Sequence, residues 1–262
     1  MTHVLTARGI NKRFGGSVAL HDVDFHLGQG EILGLIGPNG AGKTTLINIV
    51  SGYLRADGGE VSLNGRDIGR LAAHRIANLG VARTFQLVRP FMGMTVEENV
   101  LVGALFGRTR DSINLVRRGR RLEKILSFLD LQQKRSDPVV SLNIPERKRV
   151  ELGRALAMEP SVLLLDELVA GLNATEMRGL MEIVREINCQ GVSIVIVEHV
   201  MQVVADLCDR VIVLHLGQKL ADGPTNRVLS DRQVAEAYLG KSYVERYRGD
   251  AAMTDRDQGD AR

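Results

Sequence analysis

A nine-residue run, Gly37-Pro-Asn-Gly-Ala-Gly-Lys-Thr-Thr45, constrains this chain more than any other feature. It contains a glycine, four further residues and then Gly-Lys-Thr, which is the pattern of a P-loop. Residues 31–36 before it form an apolar segment typical of a buried strand, and residues 43–51 after it have helical spacing. Glycines let the backbone N–H groups of such a loop curve around a polyphosphate, and the helix N-terminus favours negative charge. The sequence therefore predicts a strand, a loop and a helix that together bind a nucleotide.

The P-loop pattern gives each polar side chain of the run a predicted task. Lys43 reaches the β- and γ-phosphates, and the hydroxyl of Thr44 binds Mg²⁺. Thr45 adds a hydrogen bond to a phosphate. A glycine-rich turn that matches by chance is the alternative interpretation, and the flanking strand and helix argue against it. The predicted nucleotide-binding residues of the loop are Gly37, Asn39, Gly40, Gly42, Lys43, Thr44 and Thr45.

Two carboxylates follow a second apolar segment. Residues 162–165 are typical of a buried strand, and Asp166 and Glu167 come directly after them. Ligands bind at the carboxyl ends of parallel strands, so we expect both side chains at the nucleotide. Asp166 is suited to hold Mg²⁺ through water, and Glu167 to orient and deprotonate the water that attacks the γ-phosphate. A solvated acidic turn is the alternative, but an upstream P-loop makes ATP hydrolysis the better interpretation.

The order of the predicted elements indicates an α/β fold. Strand and turn patterns fill the N-terminal region, which predicts a mixed β region there. Residues 88–158 have helical spacing and many Arg and Lys, and strand–helix alternation resumes at residue 162. We predict a parallel sheet covered on both faces, built from residues 1–87 and 159–240, with residues 88–158 inserted as a helical subdomain. Residues 241–262 lack an apolar face and predict a charged, flexible tail.

Composition limits the classes of partner. A formal net charge of +3 permits contact with nucleic acid or an anionic membrane without requiring either, while 4% aromatics and no Trp disfavour base stacking, so no nucleic acid is expected. Cys189 and Cys208 lack metal-ligand spacing and favour a reducing compartment. Neither a signal-peptide pattern nor the roughly 18 continuous apolar residues of a membrane span is visible. We expect a cytosolic chain whose membrane role comes through a partner.

Further motifs, in their order along the chain, resemble those of the ABC (ATP-binding cassette) ATPases, and the resemblance runs over residues 5–240. Phe14 matches the aromatic A-loop residue that stacks on adenine, and Gln86, in Arg-Thr-Phe-Gln, matches the Q-loop glutamine that touches Mg²⁺ or the attacking water. Asn173 closes a stretch at the D-loop position, which implies a place at a dimer seam. His199 matches the switch histidine that contacts the γ-phosphate. Each of these residues has an alternative interpretation when its motif is considered alone. Phe14 could be a core residue, Gln86 an ordinary exposed polar residue and His199 a structural residue.

The resemblance implies a P-loop NTPase (RecA-like) core with an N-terminal antiparallel β region and an inserted α-helical subdomain. It also implies ATP and Mg²⁺ as cofactors. The implied catalytic residues are Glu167, His199, Gln86 and Lys43, and the implied Mg²⁺ ligands are Thr44, Gln86 and Asp166.

The chain departs from the family pattern at the signature loop. Each nucleotide site of an ABC dimer borrows a loop, LSGGQ or a variant, from the opposite subunit, and residues 142–146 here read Leu-Asn-Ile-Pro-Glu. Pro145 has no N–H to offer a phosphate, and Glu146 adds negative charge, while Asn143 can hydrogen-bond in place of serine. The D-loop also departs, with Leu168 for proline and Asn173 for aspartate. For the charges at 147–154 we expect a solvated basic helix face.

These departures predict an asymmetric heterodimer, because the altered signature serves the nucleotide of the partner and not the one bound by Lys43. The competent site then uses Lys43 and Glu167 from this chain. Stretches such as Arg13-Phe-Gly-Gly16 and Ser51-Gly-Tyr53 resemble the branched-chain amino-acid (LIV-type) importer ATPases. We expect a motor subunit on the cytoplasmic side of the bacterial inner membrane, with permease subunits and, indirectly, a solute-binding protein as partners. Its second ATPase subunit is expected to be a different chain, and an identical copy is the alternative. Urea, amide or lipopolysaccharide transport, a non-transport ATPase acting on nucleic acid, and a regulatory nucleotide-binding module remain alternatives.

Overall fold

Strands and helices alternate along most of the chain in a computed structural model that describes residues 3–84, 90–107 and 115–239. Gln86 and the predicted tail, residues 241–262, lie outside these ranges. The strands are β1 His3–Phe14, β2 Ser17–Gly28, β3 Ile32–Ile36, β4 Gly58–Leu63, β5 Arg66–Asp67, β6 Val81–Arg83, β7 Val162–Asp166, β8 Ser193–Val197, β9 Arg210–His215 and β10 Gln218–Pro224. The helices are α1 Lys43–Val50, α2 Ala73–Asn78, α3 Val96–Phe106, α4 Leu115–Phe128, α5 Ile144–Leu156, α6 Ala174–Cys189, α7 Met201–Leu207, α8 Thr225–Leu229 and α9 Arg232–Leu239.

The strands form two sheets. The larger has the order β10-β9-β3-β8-β7-β6; its strands β9, β3, β8, β7 and β6 run parallel, and β10 joins β9 as an antiparallel hairpin. The smaller is antiparallel, with the order β2-β1-β4-β5. The predicted α/β class, with a parallel core and an antiparallel N-terminal region, is confirmed.

Both faces of the larger sheet are buried at its central strands β3, β8 and β7. In β3, Ile32 and Ile36 belong to one hydrophobic cluster, whereas Leu33 and Leu35 belong to a second cluster on the other face. Successive side chains of a strand point to opposite faces, so a strand that is apolar at every position fits only where both faces are covered. This explains why the apolar runs of the sequence become the central strands.

The region between β6 and β7 is helical in its described part, and α3 packs closely on α5. A Cβ on Gly103 would lie 2.0 Å from the carbonyl oxygen of Arg154, so the two backbones approach more closely than any larger residue allows. The expectation that residues 147–154 present a solvated basic face is wrong. Lys148 and Glu151 are each only 4% exposed, because α5 is packed on more than one side. No helix in the described ranges is long and apolar enough to cross a bilayer.

Candidate active site

The P-loop connects β3 to α1, and its glycines are required by its neighbours. Gly37 has φ 152°, and a Cβ there would lie 2.2 Å from the carbonyl oxygen of Leu214 on β9. Gly42 has φ 103°, and a Cβ there would lie 2.7 Å from the carbonyl oxygen of Ala19 on β2. Gly42 is also the N-cap of α1 and makes no side-chain cap hydrogen bond. The first turn of α1 therefore meets the loop without a capping side chain, which suits an anion.

Lys43 lies inside the curve of this loop. Its Nζ donates to the carbonyl oxygens of Gly37, at 2.6 Å, and Pro38, at 3.0 Å. Partial burial lowers the pKa of the Lys43 ammonium, and the nearby carboxylates of Glu167 and Asp166 oppose that fall. The predicted phosphate-binding cation and the predicted acidic pair are therefore close in space.

Asp166 ends β7 and forms an ion pair with Arg83 at the end of the adjacent β6. The distance from Arg83 Nη2 to Asp166 Oδ2 is 2.9 Å, and both side chains are buried. Arg83 also donates from Nη1 to Asn48 Oδ1 at 2.6 Å and to Ser51 Oγ at 3.2 Å, which ties β6 to the P-loop helix. Asp166 and Thr44 line the same groove, with a volume of about 1150 Å³. The structure thus brings two of the predicted Mg²⁺ ligands to one opening.

Glu167 follows Asp166 in an unusual backbone conformation. Its φ is +50°, in the left-handed region that costs a non-glycine residue about 1–2 kcal/mol. Its N–H donates to the carbonyl oxygen of Val197, the last residue of the neighbouring strand β8, at 2.9 Å. Its own carbonyl oxygen accepts from Ala170 N–H at 3.3 Å and from Lys148 Nζ at 3.2 Å. The surrounding structure therefore fixes the backbone of this glutamate on both sides.

Most of the other predicted nucleotide contacts in the described residues are exposed. His199 lies just past β8, the strand between β3 and β7, and is exposed. Phe14 ends β1 with 52% of its side chain exposed, so the alternative of a core residue does not hold. Its ring lies 5.6 Å from Lys12 Nζ. In the P-loop, Asn39 is exposed and Thr45 is half-buried. For Gln86 the prediction stands without structural description.

The altered signature loop forms the start of α5, which caps itself. Asn143 Oδ1 accepts from Glu146 N–H at 2.9 Å, and Glu146 Oε2 accepts from Asn143 N–H at 3.1 Å. Pro145 occupies the first turn, and Ile144 is 53% exposed. Burial pushes the pKa of Glu146 up, but hydrogen bonds from Lys134 Nζ, at 2.5 Å, and from Asn143 leave it below its ordinary value. A carboxylate of this chain thus occupies the helix N-terminus where the family pattern has glutamine, and Ile144 and Pro145 stand at the two glycine positions.

Asn173, at the D-loop position, has a local structural task. Its Oδ1 accepts from Thr175 N–H and Glu176 N–H, both at 3.0 Å. The Glu176 carboxylate in turn accepts from Asn173 N–H at 2.9 Å. This capping box starts α6. Capping explains why asparagine is accepted there in place of aspartate, since both residue types cap helices well. Its predicted place at a dimer seam stays a prediction.

Three residues at the site were not singled out from the sequence. Arg83 holds Asp166, Lys148 donates to Glu167, and Glu198 Oε1 accepts from Val169 N–H at 3.1 Å. Burial raises the pKa of the Glu198 carboxyl, and the Val169 N–H opposes this. The pairing of Arg83 with Asp166 has no local sequence signal, because the two residues are far apart in the chain and meet through the sheet. Lys148 and Glu198 carry no such signal either.

Comparison with known proteins identifies the family of this site. The family model described as ABC transporter matches residues 20–170, more than half of the chain. The chain belongs to the ABC transporter family. The high-affinity branched-chain amino acid transport ATP-binding protein LivG of Salmonella typhimurium is 35% identical over 251 residues, which cover 91% of this chain and 98% of LivG. A probable branched-chain amino acid transport ATP-binding protein LivG of Archaeoglobus fulgidus is 35% identical, with 90% and 95% covered.

Solved ABC cassettes share the fold of this chain. The ADP conformation of MJ1267, an ATP-binding cassette of an ABC transporter, superposes with a TM-score of 0.84 at 32% identity, covering 92% of this chain and all of MJ1267. This ABC protein is therefore an ATP-binding subunit and ATPase that powers a transporter, and the prediction that the chain binds a nucleotide is confirmed. ATPases of the ABC transporter family act with permease subunits. The ATP-binding cassette MJ0796, which shares the fold of this chain at 23% identity with a TM-score of 0.76, has a dimeric structure.

Proposed function

We propose that this ABC ATPase drives the import of branched-chain amino acids or related solutes and that hydrolysis uses the side chains at the ends of β3, β7 and β8. The similarity to LivG proteins, at 35% identity over nearly their whole length, supports the solute class. The observation that carries the mechanism is the fixed Glu167 beside the Lys43-containing P-loop. Import of urea or amides and export of lipopolysaccharide are the alternatives for the solute.

The binding step is assigned to the P-loop and the β1–β2 hairpin. The first turn of α1 and Lys43 bind the β- and γ-phosphates, and the exposed ring of Phe14 stacks on adenine. A Mg²⁺ site fits the donors present, because the Thr44 hydroxyl and the Asp166 carboxylate are hard oxygen ligands lining one groove. Mg²⁺, when bound, neutralises charge on the phosphate oxygens. Arg83 keeps the Asp166 carboxylate in place.

The hydrolytic step is assigned to Glu167. Its carboxylate orients a water molecule and takes a proton from it as the water attacks the γ-phosphate. His199, beyond the neighbouring strand, contacts the γ-phosphate, and Gln86 contributes by resemblance alone. ATP binding closes the dimer and hydrolysis reopens it, so the chemistry serves a conformational cycle.

We further propose that the working dimer is a heterodimer with one competent site. The start of α5 offers no N–H at Pro145. The side chains of Asn143 and Glu146 each accept from the other residue's backbone N–H, and Glu146 also accepts from Lys134. A γ-phosphate in the partner's site would meet the Glu146 carboxylate instead of free donors. Losing one such donor costs about 10²–10³-fold in rate at other anion-stabilising sites.

Restoring the signature tests the heterodimer proposal. The isolated chain is expected to bind ATP with Mg²⁺ yet turn it over at background rate. A variant carrying Asn143→Ser, Ile144→Gly, Pro145→Gly and Glu146→Gln is expected to hydrolyse ATP at a rate that rises with protein concentration. Adding Glu167→Gln should abolish that turnover. An unaltered chain that turns over ATP as fast as the restored one would contradict the proposal.

The permease contact is assigned to the groove that also reaches Asp166. Apolar side chains around this groove are strongly exposed, with Phe106 at 68%, Tyr53 at 60%, Leu105 at 49% and Phe91 at 46%. Exposed apolar patches of this kind mark interaction sites. We propose a peripheral location on the cytoplasmic face of the inner membrane, with a solute-binding protein as an indirect partner.

Uptake measurements test the solute class. Cells whose chain carries Glu167→Gln are expected to lose accumulation of labelled leucine, isoleucine or valine and to keep that of an unrelated solute. Normal uptake of all three amino acids with impaired uptake of urea would show that the transported solute is urea. The proposed mechanism of ATP hydrolysis would be unaffected by that result.

A further inference from the structure

Lys148 is a buried cation that the proposed mechanism does not use. It lies on α5, five residues after Asn143 of the altered signature, and only 4% of its surface is exposed. Burying an ammonium is costly unless partners compensate. Burial lowers the pKa of Lys148, and the carboxylates of Glu151, Glu198 and Glu167 oppose that fall. The cation is therefore held in a small, acidic, enclosed site behind Glu167.

The Lys148 ammonium donates a hydrogen bond to the backbone of Glu167. Lys148 Nζ lies 3.2 Å from the Glu167 carbonyl oxygen, while the Glu167 N–H is held by β8. With φ at +50°, this residue stays in its conformation only where its surroundings fix it. The direction of the Glu167 side chain follows from that conformation. A donor on α5 thus helps to set where the carboxylate points.

Glu198 contacts the backbone of the same turn two residues after Glu167, at Val169. Its Oε1 accepts from Val169 N–H, and the side chain is 1% exposed. Its Oε2 has no hydrogen-bond partner among the described residues. Two buried polar side chains, Lys148 and Glu198, therefore contact the turn that begins at Glu167, and Glu198 directly precedes His199.

We propose that Lys148 is a positioning residue that holds Glu167 in its left-handed backbone conformation, with Glu198 holding the following turn at Val169. This inference rests on the proposed role of Glu167 as the base. Lys148 and the signature residues lie on the same helix. In this proposal α5 therefore orients the Glu167 carboxylate of this chain as well as facing the nucleotide of the partner.

The test compares turnover with nucleotide affinity. The complex is isolated through an affinity tag on this chain, and Lys148→Met is compared with Lys148→Arg and with Arg149→Met. Arg149 is the matched control, since it lies next on α5 but contacts Asp130 and the Leu129 carbonyl instead. Lys148→Met is expected to lower kcat by about 10–100-fold, the scale of a misplaced catalytic group, without changing KM or the Kd for ATP. Lys148→Arg should recover much of the loss, and Arg149→Met should show none.

A further variant separates positioning from charge balance. Lys148→Met combined with Glu198→Gln removes the buried ammonium together with a carboxyl group that interacts with it, so this variant is expected to fold even if Lys148→Met alone unfolds. Turnover that stays low in this pair, with normal ATP binding, supports the proposal. Full kcat in either Lys148→Met form overturns it. A complex with Glu167→Gln is measured in parallel, and turnover there would refute the role of Glu167 itself, a separate outcome.

Discussion

The close contact between α3 and α5 yields a prediction whose size follows from the structure. Gly103→Ala places a Cβ 2.0 Å from the carbonyl oxygen of Arg154 and 3.0 Å from Ala157 Cβ. Carbon–oxygen contacts between backbones are ordinarily about 3.3–3.6 Å, so the helices must separate by more than about 1 Å. Overpacking of this kind lowers the free energy of unfolding by about 3 kcal/mol at its upper end. The higher helix propensity of alanine raises it by about 1 kcal/mol. The expected net loss of stability is about 2 kcal/mol.

Gly179→Ala on α6 is the matched control, because no atom lies within 4 Å of its added Cβ. It keeps only the gain in helix propensity, about 1 kcal/mol. The two alanine variants should therefore differ by about 3 kcal/mol. For a chain of this size each kcal/mol shifts Tm by about 2–4 °C, so Gly103→Ala should lower Tm by about 4–8 °C and Gly179→Ala should raise it by about 2–4 °C.

Thermal unfolding of the isolated chain without nucleotide, followed by circular dichroism, measures both shifts. If Gly103→Ala unfolds at or above the temperature of the unaltered chain, the close approach of α3 and α5 is refuted. That outcome would also argue against the position of α5, the helix that begins with the signature residues, since α3 is one of the elements that pack against α5.

Three further predictions concern other parts of the site and core. Gly37→Ala should abolish ATP binding in an equilibrium assay while the circular dichroism spectrum is kept, because the loop cannot close against β9; retained affinity would contradict this. Arg83→Met should lower the urea-unfolding free energy by about 3–5 kcal/mol, since it leaves Asp166 buried and without its cation, and an unchanged midpoint would argue against that ion pair. Cys189 is exposed and should be alkylated in the native chain. Burial raises the pKa of Cys208 to about 12, so Cys208 should react only after unfolding. Mass spectrometry of the alkylated chain, with variants that carry Ser at one cysteine as controls, measures both reactions.

Much of the fold and of the site was accessible from the sequence because the chemistry lies where strong local patterns end. The apolar runs that became β3, β7 and β8 are each followed by residues of the predicted site, and parallel strands bring those ends to one edge. The short helices α8 and α9 were not predicted. They follow the last hairpin, where the five residues of α8 are too few to show a helical period.

What the sequence did not reveal depends on contacts between distant segments. Lys148 lies in a run of charges that looks solvent-facing, and only the packing of α5 shows that it is buried. Arg83 and Asp166 are far apart in the chain and meet because β6 lies beside β7. The left-handed conformation of Glu167 likewise follows from hydrogen bonds to other elements and has no local sequence signal.

The most direct test of the account is phosphate release by the purified transporter complex in which only this chain carries Glu167→Gln. The account predicts that ATP still binds and that nearly all turnover is lost, because the competent site combines Lys43 and Glu167 of this chain with the partner's signature. A complex that keeps half or more of its turnover would contradict that assignment and would place the main hydrolytic site in the partner.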